Sequence, residues 1–548
     1  MENSSKQIKW TELLSKFGWP KSKPLWDPKE AQKTRKWLKD SYAKGDAAMY
    51  HQRPNRIEEQ ICSVPLPTRL LDLGSHPKTS RNVQLVITSP EDRGNYVTLS
   101  HRWGTTQRLE LTPTTLRACT EGIDFGSLPR TYQDAVTVSR LLGFRYLWID
   151  ALCIIQGDGQ DWLEEAAKMA AVYRNSSCTI STHAAKDDNE GFLHFKRSQG
   201  QSVSLLVTSS DLSQRGWVFQ ERILSKRLLH FTSGGLFLED ASGFVNPDGD
   251  TPGTEFYDPW KDNKQNLEDS HHDLCGWYRL IERFTTCRLT YETDRLPAVM
   301  GLSKHLWQQV DDGYYAWGLW TRSIHRGLLW NNVDRNPKKL VHEPDSANPT
   351  APSWSWGSWT GKVKFPDHLS TCEPECALVG FETGTTDNTV AWPLPVFKQN
   401  PPNIELILKR VNLRDIKVSR KYAPAYFMGM EFCHSITDKG IDWVSLDGER
   451  DKDVVFAQLT FALVAHHHNV ETFSRDDDVI ERHTWTHYFL LLSPTEENEF
   501  IYRRVGLGAS KSDAERAWNR GIVDNSPLIN PRARNLFNEA DLGTVVLY

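Results

Sequence analysis

The sequence predicts an α/β core built on a parallel sheet, and three observations lead there. Strand-like and helix-like segments alternate most clearly between residues 81 and 240. The strand candidates are short runs rich in Val, Leu and Ile. The segments between them carry apolar residues near a 3.6 period and are bounded by helix start and stop signals. Strand, helix, strand, helix, strand in that order is the pattern of crossover connections between parallel strands.

The elements follow in order. VQLVIT and YVTLS are the first strand candidates. LPRTYQDAVTVSRLLG then reads as a helix. Thr131 and Asp134 have capping-box spacing at its start, and Gly143 stands where a C-terminal cap belongs. FRYLWID is a buried strand that ends at Asp150. DWLEEAAKMAAVY is a second helix, with Asp161 as candidate N-cap and Glu164 three residues on. CTIST is a further strand. Ligands of such sheets sit beyond the carboxyl ends of the strands. Ser100–Gly104 and Asp150–Gln156 both follow strands, so both are expected along one crevice.

At about 100° per residue, Leu163, Ala166, Ala167, Ala170 and Tyr173 form an apolar face on the second helix. Glu164 points away from it, beside Lys168, as a capping and solvent-facing carboxylate. Glu165 lies at the edge of the face, between Met169 and Val172. An ordinary ion pair or a cleft-facing carboxylate both fit that place.

Around this core the chain divides by composition. Residues 1–80 form an N-terminal segment with Trp10, Trp19, Trp26 and Trp37 in a basic background, expected to cover a neighbouring surface. Residues 81–240 are the α/β domain. Residues 241–270, rich in Pro, Gly and Asp, read as a loop. Residues 271–340 read as helical, with Trp277, Tyr278, Leu280, Ile281 and Phe284 near a helical period. Residues 341–548 read as a β-rich region of mixed character, with segments such as IELILKRV and VFAQLTFALVA.

Composition narrows the class. Apolar residues at 39% against 25% charged residues give a globular balance, which excludes a largely disordered chain. A net charge of −5 gives no support to nucleic-acid coating. No apolar run reaches the ~20 residues of a membrane helix, and MENSSKQIKW lacks a secretory core. Nine scattered cysteines, an odd number, fit a reducing compartment, so a cytoplasmic location is expected.

Four ordered motifs carry a family resemblance: YVTLSHRWG, LPRTYQDAVTVSRLLGFRYLWIDALCIIQ, DWLEEAAKMAAVY and RGWVFQERILSKRLLHF. Together, over about residues 80–240, they resemble the fungal heterokaryon incompatibility (HET) domain family. YETDRLPAVMGL, YYAWGLW, RGLLW and APSWSWGSW resemble the C-terminal regions of its long members. The resemblance implies an effector of nonself recognition and programmed cell death. It also implies a core related to the Toll/interleukin-1 receptor (TIR) fold, a flavodoxin-like parallel sheet. Some TIR domains hydrolyse NAD⁺ with a glutamate on a helix. Glu165 is the matching position, three residues after Trp162 where TIR enzymes usually have four.

That resemblance implies two activities. One is assembly-dependent NAD⁺ hydrolysis, with NAD⁺ as substrate and no cofactor required. Breaking the nicotinamide–ribose bond builds positive charge on the ribose, which a carboxylate, Glu165, stabilises. Ser100 and Arg102 are then the pyrophosphate donors, Trp103 a stacking ring, Asp150 a ribose ligand, and Trp162 part of the same site. The other is a non-catalytic signalling module that acts by homotypic assembly or through a protein partner. On the plain reading of the residues, Trp103 and Trp148 are core, Asp150 caps a turn and Arg102 pairs with a carboxylate such as Asp150. Gln220, Glu221 and Arg222, with Trp217, either complete the crevice or serve a structure in which Arg215 and Arg222 form ion pairs.

The other motifs are weak. Cys372 and Cys376 form a CxxxC with no second ligand pair at zinc spacing. His466, His467 and His468 are consecutive and cannot all face one ion from a strand. No metal is therefore expected. GLGASKS lacks phosphate-loop spacing, and the basic stretch around it is broken by acids, so no nucleic-acid partner is expected. Trp354, Trp356 and Trp359 are expected to pack on a β surface.

Overall fold

The computed structural model describes residues 28–49, 64–74, 82–104, 109–193, 203–249, 275–307, 315–334, 337–340, 351–382, 403–412, 419–422, 434–436, 441–447, 459–475, 478–495, 501–518 and 542–547. Trp10, Trp19, Trp26 and most of the 241–270 loop lie outside them. The chain forms two compact units, Met1–Asp262 and Asn263–Tyr548.

The first unit is a mixed α/β domain on one nine-stranded sheet. Its strands are β1 (Val64–Pro65), β2 (Arg69–Asp72), β3 (Asn82–Ile87), β4 (Arg93–Gly94), β5 (Tyr96–Ser100), β6 (Ile123–Asp124), β7 (Tyr146–Trp148), β8 (Cys178–Thr182), β9 (Leu228–Thr232), β10 (Gly235–Asp240) and β11 (Gly243–Val245). The order is β11-β10-β9-β8-β5-β7-β2-β3-β6, with β1 and β4 paired apart. β7, β5, β8 and β9 run parallel, and the strands on either side are antiparallel. The strands β5 and β8 are buried along their whole length, as expected of parallel strands covered on both faces. The expected parallel core is therefore present, within a mixed sheet.

Two boundaries differ from the compositional reading. β2 belongs by sequence to the 1–80 segment, yet it pairs with β7 in the middle of the sheet. Its Leu70 and Leu71 are fully buried. β11 lies inside the stretch read as a loop and pairs with β10. The early strand VQLVIT, now β3, pairs antiparallel with β2 and does not touch β5.

The helices are α1 (Pro28–Met49), α2 (Leu116–Glu121), α3 (Arg130–Leu142), α4 (Asp150–Cys153), α5 (Gly159–Asn175), α6 (Val203–Thr208) and α7 (Gly216–Leu224). Gly143 ends α3 in the left-handed conformation (φ 88°), as its lack of a Cβ permits. The proposed capping boxes do not form. Thr131 and Asp134 instead reach the 187–193 loop: Thr131 Oγ1 donates to the Asp187 carbonyl, and Asp134 accepts from the Phe192 and Leu193 amides. Asp158, not Asp161, caps α5, accepting from the Gln160 and Asp161 amides.

α1 docks at the amino edge of the parallel strands. Tyr42 donates to the Ser177 carbonyl just before β8, and Arg227, just before β9, lies 3.6 Å over the Tyr42 ring. The carboxyl edge of the same strands is left to the loops.

The second unit holds helices 275–284 and 297–307 and a short one at 324–327, then a large β sheet dominated by strands 460–475, 478–494 and 501–518. Trp277, Trp320, Trp330, Trp354 and Trp356 are fully buried. Trp354 and Trp356 lie at a tight turn and not on a strand: Trp354 offers its carbonyl to Trp330 Nε1, and Trp356 donates to the Gly318 carbonyl. Arg504 is buried against Asp447 at 2.8 Å and over the Trp330 ring at 3.6 Å. GLGASKS lies within strand 501–518. Among the described residues no helix is long and apolar enough to cross a membrane, and no group of three or more ligating side chains could hold a metal.

Candidate functional site

The sheet order decides where a site can form. The chain leaves β5 toward β7 on one side and leaves β8 toward β9 on the other. Adjacent loops therefore diverge beyond the carboxyl ends of β5 and β8, the usual place for a ligand crevice in such sheets. Polar and ionisable side chains collect there.

The residues after β5 come first. His101 is buried between two carboxylates, with Nδ1 3.7 Å from Asp150 Oδ1 and Nε2 3.2 Å from Asp188 Oδ1. The Tyr132 hydroxyl, from α3, lies 3.2 Å from His101 Nε2 and donates to Asp188. Burial pushes the Asp188 carboxyl up, the neighbouring His101 imidazole opposes this, and Asp150 adds to it. Trp103 donates its indole N–H to Asp150 Oδ2 at 2.8 Å. Asp150 also accepts from the Ala151 amide at 2.8 Å, so it steadies the first turn of α4 while keeping some exposure.

Glu221 lies behind this group on α7. It is fully buried, and its carboxyl is pushed up to about 7. Burial is the main cause. The Ser100 hydroxyl facing it pulls down, Asp150 pushes up, and Arg215 and Tyr173 pull down. Arg215 donates to the His101 carbonyl at 2.5 Å, which ties the start of α7 to the loop after β5. Gln220 is buried beside Glu221, and its amide has no hydrogen-bond partner among the described residues.

The expected residues thus separate. Ser100, Trp103, Asp150 and Glu221 come together in the crevice. Arg102 turns outward and pairs with Asp211 at 2.7 Å, not with Asp150. Trp148 is core, edge-on to Tyr173. Arg222 pairs with Glu239 on β10 at 3.3 Å, so of the two arginines expected in ion pairs it forms one.

Glu165 sits in a second cluster on the same edge, toward β2. Arg69 donates to both oxygens of Asp161, at 2.7 and 2.6 Å, and to the Cys153 carbonyl. Glu165 Oε1 lies 2.8 Å from Lys168 Nζ and 3.9 Å from Arg69. At 3% exposure Glu165 is inside the buried face of α5, with Met169, Val172 and Tyr173, and not at its edge. The alanines give the helix a weak apolar pattern, so the buried face is turned from the expected one, and Ala167 is exposed. Glu164 is exposed as expected, one turn inside the helix and bonded to Gln160. Trp162 meets Trp217 edge-on at 6.2 Å.

Tyr132 and Asp188 escaped the sequence reading, as did the central place of His101, while Tyr173 was read only as part of an apolar helix face and Arg215 only as an ion-pair former. Tyr132 and Asp188 carry no local signal, because their partners are distant in sequence. His101 had one: an ionisable residue directly after a strand candidate.

No curated protein and no solved structure matches the chain. Its residues 96–205, which contain β5, β7, β8 and most of the crevice, match the family model described as Heterokaryon incompatibility protein (HET).

Proposed function

We propose that this chain is a HET-type effector of nonself recognition and programmed cell death, and that it acts by cleaving NAD⁺ at the crevice beyond β5 and β8. The observation that carries this is the convergence of Asp150, Trp103 and Glu221 where the loops diverge. In this reading residues 81–240 are the effector domain, TIR-like in ancestry, the protein works in the cytoplasm, and it assembles with itself or a partner to act.

The chemistry runs as follows. The bond between nicotinamide and ribose breaks, nicotinamide leaves with the bonding pair, and the ribosyl group becomes cationic. Asp150, the most accessible carboxylate of the crevice, faces that cation and stabilises it. The Trp103 ring, held beside it, stacks on the departing ring. Water adds to the ribosyl carbon and gives its proton, through Ser100, to Glu221. A carboxyl near neutrality suits that task. The products are nicotinamide and ADP-ribose.

The test is nicotinamide release by the full chain at high concentration. Asp150→Asn and Glu221→Gln should abolish it, and Glu165→Ala should retain it. Loss in Glu165→Ala alone would move the reaction to the Arg69 cluster. The pairing of Glu165 with Lys168 and Arg69 favours a second reading, a non-catalytic module that signals by homotypic assembly. An assembled wild-type protein that releases no nicotinamide would establish that reading instead.

A further inference from the structure

A second line of hydrogen bonds runs beside the crevice and has no part in the reaction above. Ser210 Oγ lies 2.7 Å from His183 Nδ1. His183 Nε2 lies 2.8 Å from His230 Nδ1. His230 Nε2 lies 2.7 Å from Glu239 Oε2, which also accepts from Arg222 at 3.3 Å. His183 follows β8, His230 is on β9, Glu239 on β10, and Ser210 is in the turn after α6. Three strands and one turn thus converge on four side chains.

The direction of this line follows from its far end. The Arg222 guanidinium keeps Glu239 an acceptor. His230 therefore presents Nε2–H to Glu239 and a lone pair at Nδ1. His183 must then give its Nε2–H to His230, which leaves its Nδ1 as a lone pair. Ser210 is the group facing that lone pair, so its hydroxyl donates to a base. The Val207 carbonyl, 2.9 Å from Ser210 Oγ, is a second acceptor that it shares with the Ser213 hydroxyl at 2.6 Å, but the contact with His183 Nδ1 is the shorter of the two and that lone pair has no other donor in the line. The Ser213 amide donates to Ser210 Oγ at 3.2 Å and helps fix it. Burial, reinforced by His230 and Arg222, pushes His183 well below its ordinary value, so it rests neutral and takes the serine proton only with the Glu239 carboxylate behind it.

We infer that Ser210 is an activated nucleophile, with His183 as its base and His230 and Glu239 as the relay behind it, and that the site hydrolyses carboxylic esters. A hydroxyl, a base and an orienting acid joined by short hydrogen bonds define that chemistry whatever the fold. Ser210, His183 and Glu239 are half-buried, and Ser210 is flanked by the exposed Ser209 and Asp211, so its hydroxyl lies at the edge of a solvent-facing turn. In the first step Ser210 Oγ bonds to the carbonyl carbon and its proton moves to His183 Nδ1. The bond to the alcohol oxygen breaks, and the alcohol leaves with that proton. Water then attacks the acyl-serine, gives its proton to His183 in the same way, and releases the acid and free Ser210.

The experiment is labelling of the full chain with a fluorophosphonate, which loses fluoride to an activated serine, followed by mass spectrometry of the peptides. The expected result is one labelled peptide carrying Ser210. Ser210→Ala should remove the label, His183→Gln should slow it about a hundredfold or more, and Ser209→Ala should leave it unchanged. Ser210→Cys keeps the size of the side chain and guards against misfolding in the other variants. Its thiol should react with iodoacetamide at neutral pH at least about tenfold faster than that of Ser209→Cys, because an adjacent imidazole favours the thiolate. An unlabelled wild-type protein, a label that persists in Ser210→Ala, or a Cys at 210 no faster than one at 209 would overturn the assignment. None of these readouts uses NAD⁺, so failure here leaves the crevice reading to its own test.

Discussion

Replacing Glu221 with Gln should make the domain more stable at alkaline pH while removing a group on which the proposed reaction depends. The carboxyl is fully buried, with a native value of about 7 against an ordinary 4.5. Between those values the native state holds a proton that the unfolded chain releases. Stability from this group is therefore fully present below pH 4.5 and is lost as pH rises through 7. The gap corresponds to at most about 3 kcal/mol. Gln copies the shape of the neutral acid and cannot ionise. At pH 5 the variant should match the wild type within about 1 kcal/mol. At pH 8.5 it should be more stable by up to about 3 kcal/mol, a rise of up to about a hundredfold in amide protection. Hydrogen exchange of peptides from 216–224 in the full chain reads this directly. A difference between variant and wild type that does not change from pH 5 to pH 8.5 would refute the reasoning, because the burial of charge would then cost nothing.

Three further outcomes follow from buried contacts. Asp161→Ala leaves the Arg69 guanidinium with only the Cys153 carbonyl and a more distant Glu165, and should cost about 3 kcal/mol, seen as lost exchange protection over 159–175. Gly191→Ala places a methyl group 2.6 Å from Arg130 Cγ and 2.7 Å from Asp134 Oδ2 at a φ of +74°. It should cost about 2–4 kcal/mol and loosen the 187–193 loop from α3, measured as a fall in melting temperature and faster exchange there. Asp447→Ala strips the carboxylate from fully buried Arg504 and should destabilise the second unit by about 3–5 kcal/mol, visible as a shifted urea transition in tryptophan fluorescence because Trp330 lies over that guanidinium.

What could be read from the sequence was what short segments specify by themselves. YVTLS, YLW and CTIST are rich in β-branched, aromatic and apolar residues and read as strands from their own composition, and Gly143 marks a helix end by its own conformation. What could not be read depends on partners far along the chain. Thr131, Asp134 and Asp161 have the spacing of caps, yet each is drawn to a loop or an arginine tens of residues away. β2 is only four residues long, and nothing nearby reveals that it fills a central place beside β7. The crevice was half legible. Ser100, Trp103 and Asp150 follow strands and were expected together. Asp188 and Tyr132 reach His101 only because the 187–193 loop folds back over α3. His183 and His230 lie 47 residues apart and meet only because β8 and β9 are neighbours.

The place of β2 and β9 also bears on how this protein can be cut. The segment that matches the family, 96–205, holds β7 and β8 but neither of the strands that flank them. A fragment with those bounds would carry two open strand edges, with Leu147, Cys178 and Ile180 stripped of cover. Such edges pair readily with other chains. It would also leave Asp161 facing no arginine and Asp150 no Glu221. Similarity and architecture therefore have different borders here: the nine-stranded sheet begins at Arg69 and runs through Val245.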